Sequence, residues 1–380
     1  MPDARPEALA IPSGAIRRVS EPPRRGRVSV EIRQHAPGWY QALLLAGGIG
    51  AGLAVAAAIL VATGVGLSDL VQEFVVAVVT NPTNLSAVLV QAAPLAIVGL
   101  SAAVAFRVRF WNIGIEGQMI FGAVAATAVA IHDVGPAPVR IVLMLLASAA
   151  AGTAWMLAPA LLKIRLGLNE IISTLLLNYV AFNALLHLLY GPWRDPASSF
   201  PNSEQYDAAE RLGPLGWENL TWALPLAVAL IALGWWFLAV SRFGFLARVA
   251  EANPRLGEAQ GLPMTGVILS AALLSGALAG IAGFTVCAGV EYRMTQSFFS
   301  GYGFSGILIA FLARNDPLGA LAASVLVGVL FVAGQSLQVF YAVPASMVQL
   351  IQAVIVICVA ASDFFVHHRV RWVSGRGSDG

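Results

Sequence analysis

Long apolar runs separated by short polar breaks leave this chain few folds to choose from. They cover roughly 41–66, 86–106, 112–131, 140–162, 169–190, 221–240, 265–290, 297–313, 318–340 and 345–364. About twenty apolar residues in a helix cross the roughly 30 Å hydrocarbon layer of a bilayer. Only 11% of the 380 residues are charged, against roughly a quarter in an ordinary soluble domain. The ten-residue alternation of a membrane barrel is missing, and lipid forces backbone groups to pair within each segment. The expected fold is therefore an all-α polytopic membrane protein with about ten transmembrane helices. The run 297–313 is the weakest member. Its Gly301, Gly303 and Gly306 suit a broken or re-entrant segment better than a straight helix.

Charge distribution sets the expected orientation. Arg5, Arg17, Arg18, Arg24, Arg25, Arg27 and Arg33 precede the first run, and Arg369, Arg371 and Arg376 follow the last. Both termini are placed in the cytoplasm (N-in/C-in) by the positive-inside rule. Alternating crossings then put Arg107, Arg109, Lys163, Arg165 and Arg314 on the same side, and leave Arg140, Arg194, Arg211 and Arg293 outside. Residues 1–40, rich in Arg and Pro with no apolar period, read as a basic, largely disordered arm. The arm is taken as a topology signal, not as a contact for a nucleic acid polymer, and 365–380 as a basic tail. The run 41–65 is too long for a signal-peptide core and reads as an uncleaved first helix. Cys287 and Cys358 lie deep in apolar runs and read as small buried hydrophobes.

Polar side chains at lipid depth need partners. One cluster, Asn112, Glu116 and Gln118, sits in WNIGIEGQ at the start of the third run. Asn112 and Glu116 share a helix face, and the two glycines permit an unwound backbone that offers amides and carbonyls to a ligand. Pairing of Glu116 with Arg107 or Arg109 is the structural alternative. A second cluster places Glu170, Thr174 and Asn178 at four-residue steps, with Asn169 and Ser173 beside them. That polar face suits a neutral, hydroxylated substrate or hydrogen bonds between helices. Gly48 with Gly52, and Gly276 with Gly280, allow close helix contact.

Between two apolar runs lies a charged island, Ser241 to Pro263. It reads as a short helix from Phe245 to Gln260, closed by Gly261 and Pro263, and suits a cytoplasmic knob that takes force from a soluble partner. The loop 191–219 is too poor in regular apolar positions to be a domain. Leu70, Phe74 and Val78 are spaced like one face of a short surface helix. The single lysine, Lys163, follows no Gly-rich loop, so the chain carries no P-loop and any ATP must be bound elsewhere. Gly303-Phe304-Ser305-Gly306 matches the serine motif of intramembrane proteases, but His367 and His368 fall at the far basic end.

Four segments together resemble the permease subunits of bacterial ABC importers for simple sugars and nucleosides, the nucleoside branch above all. They are FRVRFWNIGIEGQMIFGA, NEIISTLLLNYVA, RFGFLARVAEANPRLGEAQGL and GYGFSGILIAFLARNDPLG, in that order, and the likeness spans about 40–364. Trp111, Glu251, Ser305 and Ala313 depart from the family pattern. The resemblance implies a permease domain over 41–364 in the bacterial cytoplasmic membrane, with 245–261 as its ATPase-coupling helix. Arg248, Glu251, Asn253, Pro254 and Gly261 carry over to that role, and Asn112, Glu116, Gln118, Glu170, Thr174 and Asn178 are the substrate-pathway candidates. It also implies ATPase subunits, a second permease chain and an external substrate-binding protein as partners. It implies no cofactor in this chain and no catalytic or metal-ligating residue. A secondary transporter would need coupling-ion sites and inverted repeats, and no clear repeat is evident.

Overall fold

The computed structural model describes residues 27–32, 37–298 and 301–373. Apolar length dictates the helices. α1 (Gly38–Ala62) is followed by a surface stretch of α2 (Leu67–Val71), a π turn (Gln72–Val76) and α3 (Ala77–Thr80). Then come α4 (Pro82–Arg107), α5 (Ile115–Ile131), α6 (Ala137–Leu166), α7 (Glu170–Tyr190) and α8 (Ala223–Val240). The island folds as α9 (Arg242–Ala252) and α10 (Pro254–Ala259). α11 (Met264–Val286) runs on as a π turn to Glu291, followed by α12 (Tyr302–Leu312), α13 (Pro317–Tyr341) and α14 (Ala345–His367). Eight helices among the described residues are long and apolar enough to cross a membrane, and α5 and the α12 region are the shorter apolar pair. The helices correspond to the apolar runs one for one.

Helix ends follow local chemistry. Asn81, Asn169 and Asp316 each accept a backbone N–H as N-caps of α4, α7 and α13. Gly167, at φ 66°, closes α6 behind Lys163 and Arg165, which face its carbonyl end. α4 is the central helix, buried along most of its length between α8, α11, α12 and α13. α11 packs on α4, α5 and α6 through small residues. A Cβ at Gly280 would fall 2.1 Å from the Ser148 carbonyl oxygen, and one at Gly152 2.2 Å from that of Gly276. α1 and α14 pair with each other, and Gly48 and Gly52 touch Ser362 and Ile355. Both small-residue pairs therefore serve packing.

Three readings need correction. The expected helix from Phe245 to Gln260 is broken at Asn253, whose backbone is extended (φ −159°). The residue before a proline disfavours helix, and Asn253 instead caps α10, accepting from the Leu256 N–H at 3.1 Å. The third crossing starts at Ile115 and not at 112, because 108–114 is irregular. Within the arm, Arg27–Ile32 forms a strand, β1, antiparallel to β2 (His368–Val373), with Arg27 opposite Val373 and Ile32 opposite His368. This short ribbon joins the two terminal segments at the end of α14; residues 1–26 and 374–380 lie outside the described residues.

The basic residues gather at one end, as alternation requires. Arg107 donates to the Asn315 carbonyl at 3.1 Å, Arg109 to that of Ala252 at 3.4 Å, and Lys163 lies over the Phe110 ring. At the far end the loop 191–222 is pinned rather than folded as a domain. Arg140 bridges Asp133 (2.6 Å) and Glu210 (2.7 Å), and the Tyr206 hydroxyl meets Thr127 at 2.6 Å. Burial, the largest cause, lifts the Tyr206 phenol well above its ordinary pKa, so it keeps its proton for that bond.

Candidate functional site

The site is built on two breaks at membrane depth. The chain leaves α4 at the basic end and rises in irregular conformation through 108–114 before α5 begins. Asn112, only three residues past Arg109, already reaches Ser275, which lies ~16 Å along α11 from its basic end. The other break precedes α12. Its eleven residues span only ~16 Å, too short to cross the bilayer. Gly301, at φ 85°, turns the chain into it. This is the broken segment that the three glycines suggested.

Glu116 joins the two breaks. Its carboxyl oxygens accept the Gly303 N–H at 2.5 Å and the Gly301 N–H at 3.3 Å, and the residue is 1% exposed. An acid there satisfies orphan donors of α12 and faces the positive end of its dipole. Gly303 permits the approach, since a Cβ would lie 2.4 Å from the Glu116 nitrogen. The pairing of Glu116 with Arg107 or Arg109 is not formed. Those arginines hold carbonyls at the basic end.

Asn112 and Gln118 face each other. Asn112 Nδ2 donates to Gln118 Oε1 (2.9 Å) and Ser275 Oγ (2.9 Å), Gln118 Nε2 returns a bond to Asn112 Oδ1 (3.0 Å), and Ser101 donates to the Ser275 carbonyl (2.7 Å). This network ties the irregular stretch to α4, α5 and α11. The α7 stripe reads the same stretch from the other side. Glu170 pairs with Lys163 and accepts the Trp111 N–H at 3.4 Å. Thr174 accepts the Ile113 N–H at 3.2 Å; Asn178 accepts the Gly117 N–H at 2.8 Å and donates to the Ile113 carbonyl at 2.9 Å. Four-residue steps thus set three side chains against successive backbone groups that have no helical partner. All six sequence-picked residues meet at one locus, and their polar groups hold protein.

Open space lies beside this locus. A cavity of about 390 Å³ between α12 and α14 is lined by Gly301, Phe304, Ser305, Leu308, Gln349 and Gln352, among others. A second, of about 440 Å³, lies toward the far end against Gln91, Glu218, Asn219, Tyr292 and Gln335. Sequence reasoning passed over Gln349 and Gln352. Their signal was two amides three apart in the last apolar run, on one helix face. Ser305 donates to the Gly301 carbonyl at 3.0 Å and lies buried in α12. His368 instead contacts the Phe364 carbonyl at the basic end, so the two are not a catalytic pair. No cluster of His, Cys, Asp or Glu suited to a metal occurs among the described residues.

At the basic end, α9 and α10 form the knob. Arg248, Glu251, Asn253 and Gly261 are exposed and Pro254 half-buried. Two apolar side chains that the reading of charge overlooked, Phe245 (56% exposed) and Leu256 (57%), share this surface.

A bundle of apolar helices with a buried, broken polar centre and a charged knob at one end defines a polytopic membrane transport subunit. Residues 84–360 match the family model described as branched-chain amino acid transport system / permease component, and the chain belongs to that family of ABC transporter permeases. A glucose ABC transporter permease of Haloferax volcanii is 34% identical over 356 residues, covering 90% of this chain and 93% of that protein. A guanosine ABC transporter permease of Bacillus subtilis is 31% identical over 292 residues, covering 75% of this chain and 82% of the relative. A nucleoside ABC transporter permease of Lactococcus lactis subsp. cremoris is 27% identical over 249 residues, covering 62% and 68%. The chain is thus a multi-pass membrane permease subunit, and as an ABC permease it works with ATPase subunits in separate chains.

Proposed function

We propose that this permease forms half of the translocation path of an ATP-driven nucleoside importer, completed by a second permease chain. An external binding protein delivers the cargo, and the ATPase seats the α9–α10 knob at the cytoplasmic face. The knob carries this reading. It projects charged and apolar side chains together, and Arg109 bonds its end to the turn that enters the broken centre. ATP drives transport insofar as it binds one arrangement of the ATPases more tightly, and the knob passes that bias to the bundle. Nucleoside as cargo rests on the WNIGIEGQ and NEIIST segments and on relatives named for guanosine and nucleosides.

A simple sugar is the second reading, favoured by 34% identity to a glucose permease along nearly the whole chain. Uptake of labelled guanosine, ribose and glucose by cells expressing the complete transporter, with and without this chain, tests both. ATP-dependent guanosine uptake that needs the chain supports the first reading, and sugar uptake alone supports the second. Uptake that persists without any ATPase overturns the mechanism.

A further inference from the structure

The polar residues of the broken centre are bonded to backbone groups and to other side chains of this chain. The α12–α14 cavity offers free polar atoms at membrane depth. Gln349 and Gln352 stand one turn apart on the face of α14 that meets α12, and both line the space. Among the described residues neither amide has a hydrogen-bond partner. An unpaired amide in the hydrocarbon region is costly, so these two require water or a polar ligand. Opposite them stand the half-exposed ring of Phe304 and the backbone of Gly301. No lining residue is charged, and the volume of about 390 Å³ falls within the ordinary range of small-molecule sites.

The route outward is close by. Tyr302 follows Gly301, a wall residue of this cavity, and its hydroxyl donates to Gln91 Oε1 at 2.5 Å. Gln91 lines the far-end cavity, together with Gln335. The Tyr302 ring stacks on Phe331, with centroids 5.7 Å apart. The Tyr302–Gln91 bond therefore links the chain at the wall of one space to the lining of the other.

We propose that the α12–α14 cavity is the cargo-contacting wall of this chain, with Gln349 and Gln352 as its specificity-determining groups and Tyr302–Gln91 as the partition from the outer cavity. The ligand class is a neutral ring compound bearing hydroxyl or carbonyl groups, its ring against Phe304. This rests on the transport reading above, and the second permease chain closes the open side.

The test uses the complete transporter in vesicles with labelled guanosine and labelled glucose. Gln352→Leu and Gln349→Leu keep side-chain volume and remove the amide. Each is expected to raise the half-saturating concentration of the transported compound about ten-fold, the scale of one lost hydrogen bond. Leu350→Ala, on the same helix but outside the cavity lining, is expected to leave it unchanged. Normal half-saturation in both Gln variants overturns the assignment while the transport reading stands. A second measurement needs no transport. In a Cys287→Ser, Cys358→Ser background, Gln352→Cys is expected to react with a water-soluble maleimide, and Leu350→Cys to resist it. Equal resistance at both positions overturns the cavity assignment whichever probe the wild-type transporter moves, whereas the transport reading falls only if uptake persists without any ATPase.

Discussion

The carboxyl group of Glu116, at the start of α5, accepts the backbone N–H of Gly303, at the start of α12, across 187 residues of sequence and 2.5 Å of space. Two helices that begin inside the membrane are joined there by one side chain. Removing it leaves two buried N–H groups without an acceptor. Glu116→Ala is expected to lower stability by ~1–3 kcal/mol, and Glu116→Gln, which keeps an acceptor, by less. Thermal unfolding of the detergent-solubilised permease checks the order of the two. Equal behaviour of Gln and Ala would show that the acceptor is not what matters.

Asn178 grips the Gly117 amide and the Ile113 carbonyl at once. Asn178→Ala is expected to lower the unfolding temperature, with a cost of ~1–3 kcal/mol for the two stranded backbone groups. Its effect on the half-saturating cargo concentration is expected to be smaller than that of Gln352→Leu. A variant that unfolds normally but binds cargo poorly would return Asn178 to the pathway.

The α6–α11 contact leaves no room for a methyl group. At Gly280 a Cβ would meet the Ser148 carbonyl oxygen at 2.1 Å and the Gly152 Cα at 3.2 Å, both backbone atoms that move only with their helix. Gly280→Ala is therefore expected to separate the helices at a cost of ~1–3 kcal/mol, the range for overpacking. Gly47→Ala, where the added Cβ meets nothing within 4 Å, is the matched control. Expression level and unfolding temperature report both.

Much of this was legible because lipid imposes length. Each apolar run must reach across the same layer, so the runs marked the helices within a few residues, and Gly301 with Gly303 marked the place where one falls short. The centre was legible as a place but not as a set of bonds. Glu170, Thr174 and Asn178 lie on one stripe because helices repeat, yet their partners are backbone groups of 111–117. Nothing in a sequence announces which amides a fold will leave without a helical acceptor. The same limit hid the partner of Glu116, which arrives from a distant segment. Asn253 shows a readable signal passed over: an Asn-Pro pair inside a proposed helix is a cap and a restart.

The knob carries the last prediction. Arg248 and Glu251 are exposed, and charged pairs at a wet interface contribute little each. Phe245 and Leu256 are more than half exposed beside them, and burying the exposed half of such side chains against a partner contributes about 1–2 kcal/mol apiece. The apolar pair should therefore dominate ATPase docking and the charges should orient it. Leu256→Asp is expected to weaken association with the ATPase at least ten-fold, and Phe245→Asp similarly, while Arg248→Ala and Glu251→Ala change it by a few fold. Because both apolar side chains face solvent in the free chain, the Asp variants should keep the unfolding temperature of the parent. Co-purification and cargo-stimulated ATP hydrolysis in the assembled transporter read the effect. Undiminished binding of the ATPase by both Asp variants would mean that the α9–α10 surface is not its seat.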